Sequence, residues 1–329
     1  MHIFKNTNID FLRWRVHALV LSWLLIIAGA FVFFTKGIPL GIEFAGGTEI
    51  IEQFDTAIAI DQVRGPLVKT FGQDAIVQTW GDPGQHQFLI RVPNVGAESG
   101  TSLTSVADQV ENALRQANVG GFRRLGTEIV GPAVGRELRS RALLATVFSL
   151  VGLLVYLAFR FQFSFGVGAV VATIHDLLIT LAFLAFFRYD MTLNVIAAIL
   201  TITGFSTNDT IVIFDRIREN LRSMRRDSMM HIINASINQT LGRTVITSGT
   251  ALLTALALFF FGGEVLHGFA FTMVVGIVTG TYSSVFIAAA IVSFWRGSTA
   301  RAASHAPSMV AAQAPQPSGR SKQNKKRAS

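Results

Sequence analysis

The stretch GFSTNDTIVIFDRIREN, Gly204–Asn220, decides the fold of this chain. An apolar segment of the membrane type runs into Asn208 and Asp209 in its last turns and then becomes rich in arginine. A carboxyl group at that depth in a bilayer costs roughly 2.5–3.5 kcal/mol on insertion scales, so it is rare unless it has a function. The stretch therefore predicts a membrane-spanning helix with a functional acid near one end.

Composition places the chain among membrane proteins. It has 329 residues, of which 50% are hydrophobic and only 15% are charged, and its mean hydropathy is +0.47. An ordinary soluble domain carries more charge than this. The net charge of +8 is concentrated in residues 216–226 and 299–329, which favours positive-inside membrane topology over nucleic-acid binding. The sequence has no cysteine, which excludes disulfides and cysteine-ligated zinc.

Six stretches are long enough to cross a hydrocarbon core about 30 Å thick, which takes roughly 20 helical residues. The predicted spans are 17–35, 142–160, 166–187, 192–214, 244–262 and 268–295. The last five follow one another closely and predict a membrane bundle over residues 142–295.

The first span has two features of a cleaved signal peptide. Basic residues precede it, and Ala28-Gly29-Ala30 has the small residues of a cleavage site. The apolar run nevertheless continues past that site through Phe31–Phe34. We therefore interpret residues 17–35 as a retained anchor.

Basic residues outside the spans indicate the orientation. They are concentrated in residues 1–16, in the segment after the fourth span and in the tail 296–329. Because such residues accumulate on the cytoplasmic side, both termini are predicted to be cytoplasmic and residues 36–141 extracytoplasmic. The tail is rich in Ala, Ser, Pro and Gln as well as Lys and Arg, and is predicted to be disordered.

The extracytoplasmic segment has the pattern of a small α+β domain. Short apolar or alternating runs predict strands, and apolar residues at helical spacing predict helices. The predicted elements, in order, are a strand over 49–54, a helix over 58–71, strands over 76–80 and 87–92, a helix over 103–117 and a strand over 122–130. The order βαββαβ predicts a ferredoxin-like sandwich.

The third span contains an acid about ten residues from its start. Thr173, Asp176 and Thr180 recur at helical spacing and form one polar stripe beside His175. Asp176 is therefore a candidate for a relay or for a structural acid.

Asp209 and Arg243 are predicted to meet. The fourth span runs inward and ends with Asn208 and Asp209, while the fifth runs back and begins with Arg243 at the same level. In a low dielectric, a carboxylate and a guanidinium at equal depth offset part of each other's cost. Thr247 and Thr250 continue from Arg243 along one helix face and, with Asn208, are supporting polar candidates.

Each of these residues also has a purely structural interpretation. Asp209 can cap structure near the interface while Arg243 snorkels toward the cytoplasm. Threonines in membrane helices often bond only their own backbone. His175 is interpreted as a satisfied interior histidine, because no second histidine or cysteine stands at ligand spacing. No metal site and no cofactor are predicted.

Motifs of well-known enzyme classes are absent from the sequence. Gly46-Gly47 is not a phosphate loop, since no Lys-Ser/Thr follows it, and neither a nucleophile elbow nor an HExxH motif occurs. We therefore predict that the protein is not an enzyme. Without ATP hydrolysis by the chain itself, the energy source that remains is the membrane gradient, at about 2.3 kcal/mol per charge per 100 mV.

Several blocks of sequence together carry a family resemblance. They are Gly41–Thr48 after the first span, Val130–Pro132 before the second, Ile174–Asp176, Gly204–Asn220, Asn238–Thr244 and Phe261–Gly263. In these blocks, from about Arg13 to Trp295, the chain is similar to the SecF family of protein-export membrane subunits.

The resemblance implies a six-span bundle that is half of an RND-type assembly, the other half being SecD. It also implies that the pair uses the proton gradient to assist late translocation and release of unfolded secreted polypeptides beside the Sec translocation channel of the bacterial inner membrane. Asp209 and Arg243 fall on the family positions assigned to proton transport. Gly46, Gly47 and Thr48 fall on the family motif of the external domain.

Two residues depart from the family pattern. Glu43 stands where Asp is usual, which keeps the charge, and Phe205 stands where Tyr is common, which removes a hydroxyl next to the acid. Two alternative functions are an RND-like exporter of lipids or small molecules and a structural scaffold for the translocon. Exporters of that class generally carry both halves in one longer chain.

Overall fold

The computed structural model describes residues 7–72, 75–92 and 100–294. The predicted cytoplasmic tail 296–329 lies outside them. The helices are α1 (Arg15–Lys36), α2 (Ile42–Ala45), α3 (Ile60–Phe71), α4 (Gly100–Gln116), α5 (Pro132–Arg160), α6 (Phe163–Phe187), α7 (Leu193–Ser223), α8 (Met229–Phe261) and α9 (Glu264–Ser283), which continues through a π-helical turn (Ser284–Ala288) as far as Phe294. The strands are β1 (Gly47–Phe54), β2 (Ile76–Trp80), β3 (Gln87–Val92) and β4 (Phe122–Val130).

The four strands form one antiparallel sheet in the order β2-β3-β1-β4. Helices α3 and α4 pack on one face of it, and the core between them includes Ile50, Val63, Leu67, Ile90 and Leu114, all fully buried. The chain order βαββαβ with this strand order is a ferredoxin-like sandwich. The predicted fold of the external domain is therefore confirmed.

The glycine pair Gly46-Gly47 joins α2 to β1. Their φ angles are 72° and 139°, in a region that only glycine adopts without strain. A side chain at Gly135 of α5 would place its Cβ 3.3 Å from the Gly46 backbone nitrogen. The pair thus lets β1 begin in close contact with the start of the second membrane helix, with Thr48 fully buried beside it.

Six helices in the described part are long and apolar enough to cross a membrane: α1 and α5 to α9. The predicted plan of six membrane helices with a small α+β domain between the first two is confirmed. At least half of the apolar window of α6, α7 and α9 is buried, against 17% or less in α1, α5 and α8. Helices α6, α7 and α9 therefore form the centre of the bundle.

Three helices extend well beyond the predicted spans. Helix α5 begins at Pro132, α7 continues to Ser223, and α8 begins at Met229. The added turns contain the charged residues at which a hydropathy-based span ends. The α-helix itself continues there, because charged residues on exposed turns keep good helix propensity.

Small residues set the spacing between the central helices. The Cβ of a side chain at Gly276 of α9 would lie 2.3 Å from Ile202 of α7, and one at Gly280 would lie 2.8 Å from Ser206. Close packing through small residues drives association between helices in lipid. Helix α9 therefore approaches α7 closely along the turns that lead to Ser284.

Arg91 joins the external domain to the bundle. It is 6% exposed, and its guanidinium donates to Glu49 (2.7 Å) on β1 and to Asp190 (3.0 Å) in the loop between α6 and α7. Beside it, Leu40 pairs with Met191 of the same loop. The sheet is thus attached directly to the end of the α6–α7 hairpin at its connecting loop.

Glu52 is a carboxyl group inside the external domain. It lies on β1 between Ile50 and Phe54, is 0% exposed, and neither of its oxygens has a hydrogen-bond partner in the part of the chain that the structure describes. The Arg124 Nε atom is 3.9 Å away. Burial, reinforced by the negative charge of Glu111, raises the pKa of Glu52 to about 7.

We predict that the stability of the external domain falls as pH rises from 5 to 8. Because burial raises the folded pKa of Glu52, its protonated form contributes its full stabilisation below the unfolded pKa near 4.5. This contribution to the free energy of unfolding, on the order of 2–3 kcal/mol, is lost by the time pH passes 7. Glu52→Gln should remove most of this loss, and the remainder should come from Glu128 on β4, whose pKa burial also raises. Hydrogen exchange of β1 amides, measured on the full chain in detergent and corrected for intrinsic rates, reports it.

Asp61→Asn is the matched control for that experiment. Asp61 is 85% exposed on α3, so this variant should keep the pH dependence of the unmodified chain. Equal pH dependence in the Glu52→Gln variant and the unmodified chain would contradict the assignment.

Candidate functional site

Asp209 lies on the inward face of α7 and is 6% exposed. Thr244 of α8 donates a hydrogen bond to its Oδ1 at 3.0 Å, and the Ser284 hydroxyl, which also lies 3.0 Å from the Thr281 carbonyl oxygen, is a longer donor to its Oδ2 at 3.4 Å. Both oxygens of the carboxyl group therefore have hydroxyl donors, and the two donors come from two other helices.

Asp176 lies on α6 and is 3% exposed. Ser283 donates to its Oδ2 at 2.8 Å, Ser206 of α7 donates to the same oxygen, and the Nδ1 atom of His175 is 2.9 Å from its Oδ1. The Nε2 atom of His175 is buried and has no partner among the described residues. Asp176 thus ties together α6, α7 and α9.

Two consecutive serines connect the acids. Ser283 donates to Asp176 and Ser284 donates to Asp209, at the point where α9 changes into its π-helical turn. Turns of this kind are rare and occur often at functional sites, because the extra residue redirects side chains. Here the single helix α9 supplies a donor to each buried acid.

The structure distinguishes the two partly polar faces of α7. Ser206 and Asp209 are buried on one face, whereas Gly204 and Asn208 are exposed on the other. Asn208, predicted as a supporting polar residue, therefore points away from the buried acids of this chain.

Arg243 does not form the predicted ion pair with Asp209. Its side chain is exposed and no ion pair within 4 Å links these two described residues, but the Arg243 guanidinium lies close enough for its positive charge to act on the Asp209 carboxyl group. The physical reason is helix rotation: successive residues of an α-helix differ by about 100°, so Thr244 faces the acid while Arg243 faces outward. The prediction of equal depth agrees with the structure, because the next residue along α8 contacts Asp209.

Thr247 and Thr250 extend the outward face of α8 from Arg243. Both are exposed, and their hydroxyls donate to carbonyl groups of their own helix. We call Arg243, Thr247 and Thr250 the outer stripe of α8. It is a polar surface of the bundle and does not contact the two acids. Gly46, Gly47 and Thr48 lie apart from the acids too, in the external domain.

Four hydroxyl donors are not among the predicted site residues: Ser206, Thr244, Ser283 and Ser284. One signal could have found Ser284. Gly268, Thr272, Gly276 and Gly280 recur every four residues along the sixth span, and the next member of that series is Ser284. Residues at this spacing lie along one helix face, so Ser284 lies on the same face as the glycines that pack against α7.

Hydroxyl partners suit carboxyl groups that change charge. A serine or threonine hydroxyl donates to a carboxylate and accepts from a protonated carboxyl, so the same partners serve both states. The same hydroxyls can therefore partner either acid in its charged and in its neutral state.

Comparisons with known proteins agree on one family. The family described as "Protein export membrane protein SecD/SecF, C-terminal" matches residues 109–298, and the "SecD/SecF GG Motif" matches residues 31–58. The chain belongs to the SecD/SecF family. The second match contains Gly46 and Gly47, the pair that joins α2 to β1.

Relatives named "Protein translocase subunit SecF" match most of the chain. The protein from Koribacter versatilis is 36% identical, with 93% of this chain and 97% of the relative covered. The protein from Pseudomonas aeruginosa is 41% identical, with 86% and 90% covered. The chain is therefore a SecF-type member of the family, and proteins of this type are multi-pass membrane proteins.

Solved structures of SecDF have the same fold. SecDF from Thermus thermophilus, described as a translocon-associated membrane protein, superposes with a TM-score of 0.77 at 35% identity. The match covers 89% of this chain but only 39% of the SecDF chain. A second SecDF structure, in a "Super-membrane-facing form", gives a TM-score of 0.66, with 92% of this chain and 41% of that chain covered.

We predict that Thr244→Val lowers the free energy of unfolding of the bundle by about 1–3 kcal/mol. The change keeps the shape of the side chain but leaves a buried carboxyl oxygen of Asp209 without its donor. Denaturant titration of the full chain in detergent, followed by circular dichroism, measures the difference. Thr247→Val is the control and should change stability by less than about 0.5 kcal/mol, because Thr247 is exposed. Equal midpoints for the two variants would contradict the role of Thr244.

Proposed function

We propose that this SecF-type chain is a subunit of the bacterial protein-export machinery that uses the proton gradient to assist late translocation and release of secreted polypeptides. The observation that carries the proposal is Asp209, a carboxyl group buried within the bundle and held by hydroxyls from α8 and the end of α9. The site residues of the proposal are Asp209, Arg243 and Asp176.

Asp209 is proposed as the group that takes up and releases the proton. A buried carboxylate is costly in a membrane, so neutralisation by a proton changes which helix arrangement has the lower free energy. Each proton that moves across the membrane supplies about 2.3 kcal/mol per 100 mV, enough to shift a balance between two packings of α7 against its neighbours.

Arg243 is proposed as the cationic partner that acts when the helices rearrange. Arg243 directly precedes Thr244, which donates to Asp209. A rotation of α8 by about 100°, the angle between successive residues, would therefore replace the Thr244 hydroxyl beside Asp209 with the Arg243 guanidinium. Such an exchange would stabilise the charged form of the acid. Asp176 is proposed as a second relay acid, linked to the first through Ser283 and Ser284.

A SecD-like subunit is proposed to cover the outer stripe of α8. The guanidinium of Arg243 on the lipid-facing surface of a membrane bundle is costly unless protein or water covers it. The SecDF chains are more than twice the matched length, which supports a second half. The Sec translocation channel and the unfolded secretory polypeptide are the further proposed partners, the latter at the external domain.

The proposed site of action is the bacterial cytoplasmic membrane, with both termini in the cytoplasm. This orientation rests on the basic residues of the α7–α8 segment and of the two terminal segments.

We predict that Asp209→Asn abolishes the dependence of export on the proton gradient. Asparagine is nearly isosteric but cannot take up a proton, so the variant should accumulate to normal levels and still fail. Export of a secretory protein into inverted vesicles, with and without an uncoupler, measures the effect. Asp227→Asn, at an exposed carboxyl between α7 and α8, should behave like the unmodified chain. Normal gradient dependence in Asp209→Asn would leave the scaffold alternative as the better one.

We also predict that the outer stripe of α8 contacts a SecD-like subunit. The chain has no cysteine, so Thr250→Cys provides a single thiol on the stripe. Oxidation should link it to single cysteines placed along the membrane helices of the partner, with gel mobility as the readout. Val151→Cys, on the exposed face of α5, is the control and should give no such product. Co-purification of the partner without any product from Thr250→Cys would overturn this placement.

A further inference from the structure

A shallow, solvent-open cavity of about 550 Å³ lies at the end of the bundle where α5 finishes and α7 extends past the predicted span. Its lining residues are Arg160, Asp215, Arg218, Glu219, Arg222 and Ser223. The proposed proton site uses none of them. The lining is rich in guanidinium groups, which suit phosphate recognition.

Both carboxylates of the cavity already form ion pairs with arginines of the protein. Asp215 accepts from Arg160 at 2.9 Å and is 3.4 Å from Arg218. Glu219 accepts from Arg216 at 2.6 Å. Arg222 forms no ion pair within 4 Å in the part of the chain that the structure describes. The cavity therefore presents positive charge that its own carboxylates do not balance.

Two of the arginines are held in place by an aromatic ring. The guanidinium of Arg160 lies 5.2 Å from the ring centre of Phe161, and that of Arg218 lies 5.9 Å from it. Contacts of this kind restrict the guanidinium planes before any ligand arrives. Ligand binding therefore loses less conformational entropy in these side chains.

The cavity borders a surface suited to lipid chains. Phe159 is 89% exposed and Phe163 is 74% exposed, on the two sides of the turn that carries Arg160. Large apolar rings exposed to this extent are suited to contact with lipid acyl chains. A molecule that fills the cavity and covers these rings has an anionic head and apolar chains.

We propose that this cavity binds the phosphodiester headgroup of an anionic phospholipid. Arg222 and Arg218 bind the phosphate oxygens, and the acyl chains lie along Phe159 and Phe163. Basic pockets at the ends of membrane helices bind anionic lipids through these forces. The bound lipid would fix the end of α5 against the polar extension of α7.

The test uses the full chain in a neutral detergent, titrated with phosphatidylglycerol and followed by native mass spectrometry. Arg222→Gln is expected to weaken binding about tenfold, since it removes the guanidinium with no partner in the protein. Arg226→Gln makes the same change of charge four residues further on, outside the cavity lining, and should leave binding unchanged. Equal losses in the two variants would show general charge attraction and overturn the proposal.

Two further arms identify the ligand. Phosphatidylcholine should bind at least tenfold more weakly than phosphatidylglycerol, and millimolar inorganic phosphate should not displace the lipid. Full displacement by phosphate would make this a site for a free anion and overturn the lipid assignment. Arg218→Lys, which keeps the charge but loses the bidentate geometry, should weaken binding by a smaller factor than Arg222→Gln. Unchanged affinity in both variants would overturn the assigned contacts.

Discussion

The fold depends on supplying hydrogen bonds to two carboxyl groups inside a membrane bundle. A bilayer core offers no water, so every buried polar group needs a partner within the protein. Asp176 and Asp209 receive theirs from hydroxyls on α7, α8 and the end of α9. The central helices must therefore meet at fixed rotations and separations. The glycines of α9 make this possible, because Gly276 and Gly280 allow it to reach the α7 backbone closely enough for Ser283 and Ser284 to act.

Much of the fold follows from the sequence alone, for physical reasons. A run of about 20 apolar residues has few alternatives to a membrane helix, and period-two alternation between turn residues specifies strands. Six membrane helices and a βαββαβ domain could therefore be predicted. Helix ends such as Pro132 and Ser223 could not be predicted in this way. A span predicted from hydropathy stops at the first charged residues, whereas the backbone hydrogen bonds of the helix continue through them.

The candidate site was only partly predictable, because rotation about a helix axis is decided by packing. Asp209 stands out because a carboxyl group is costly to place in a membrane. Two faces of α7 are partly polar, however, and the sequence of α7 does not show which of them is buried. On α8 a difference of one residue decides the partner: Thr244 faces the acid and Arg243 faces outward. A serine in an apolar span does not by itself indicate a hydrogen-bond donor to a buried acid. Ser284 becomes visible only as the continuation of the glycine series that packs α9 against α7.

The junction at Arg91 has a mechanical consequence. This guanidinium joins Glu49 of the sheet to Asp190, in the loop between the two helices that carry the buried acids. Separating a buried ion pair leaves uncompensated charge and costs several kcal/mol, so the junction resists opening. A tilt of the α6–α7 hairpin would therefore carry the whole sheet with it. The sheet would then act as a lever arm whose pivot is Arg91, and its far edge would travel further than the helices that drive it.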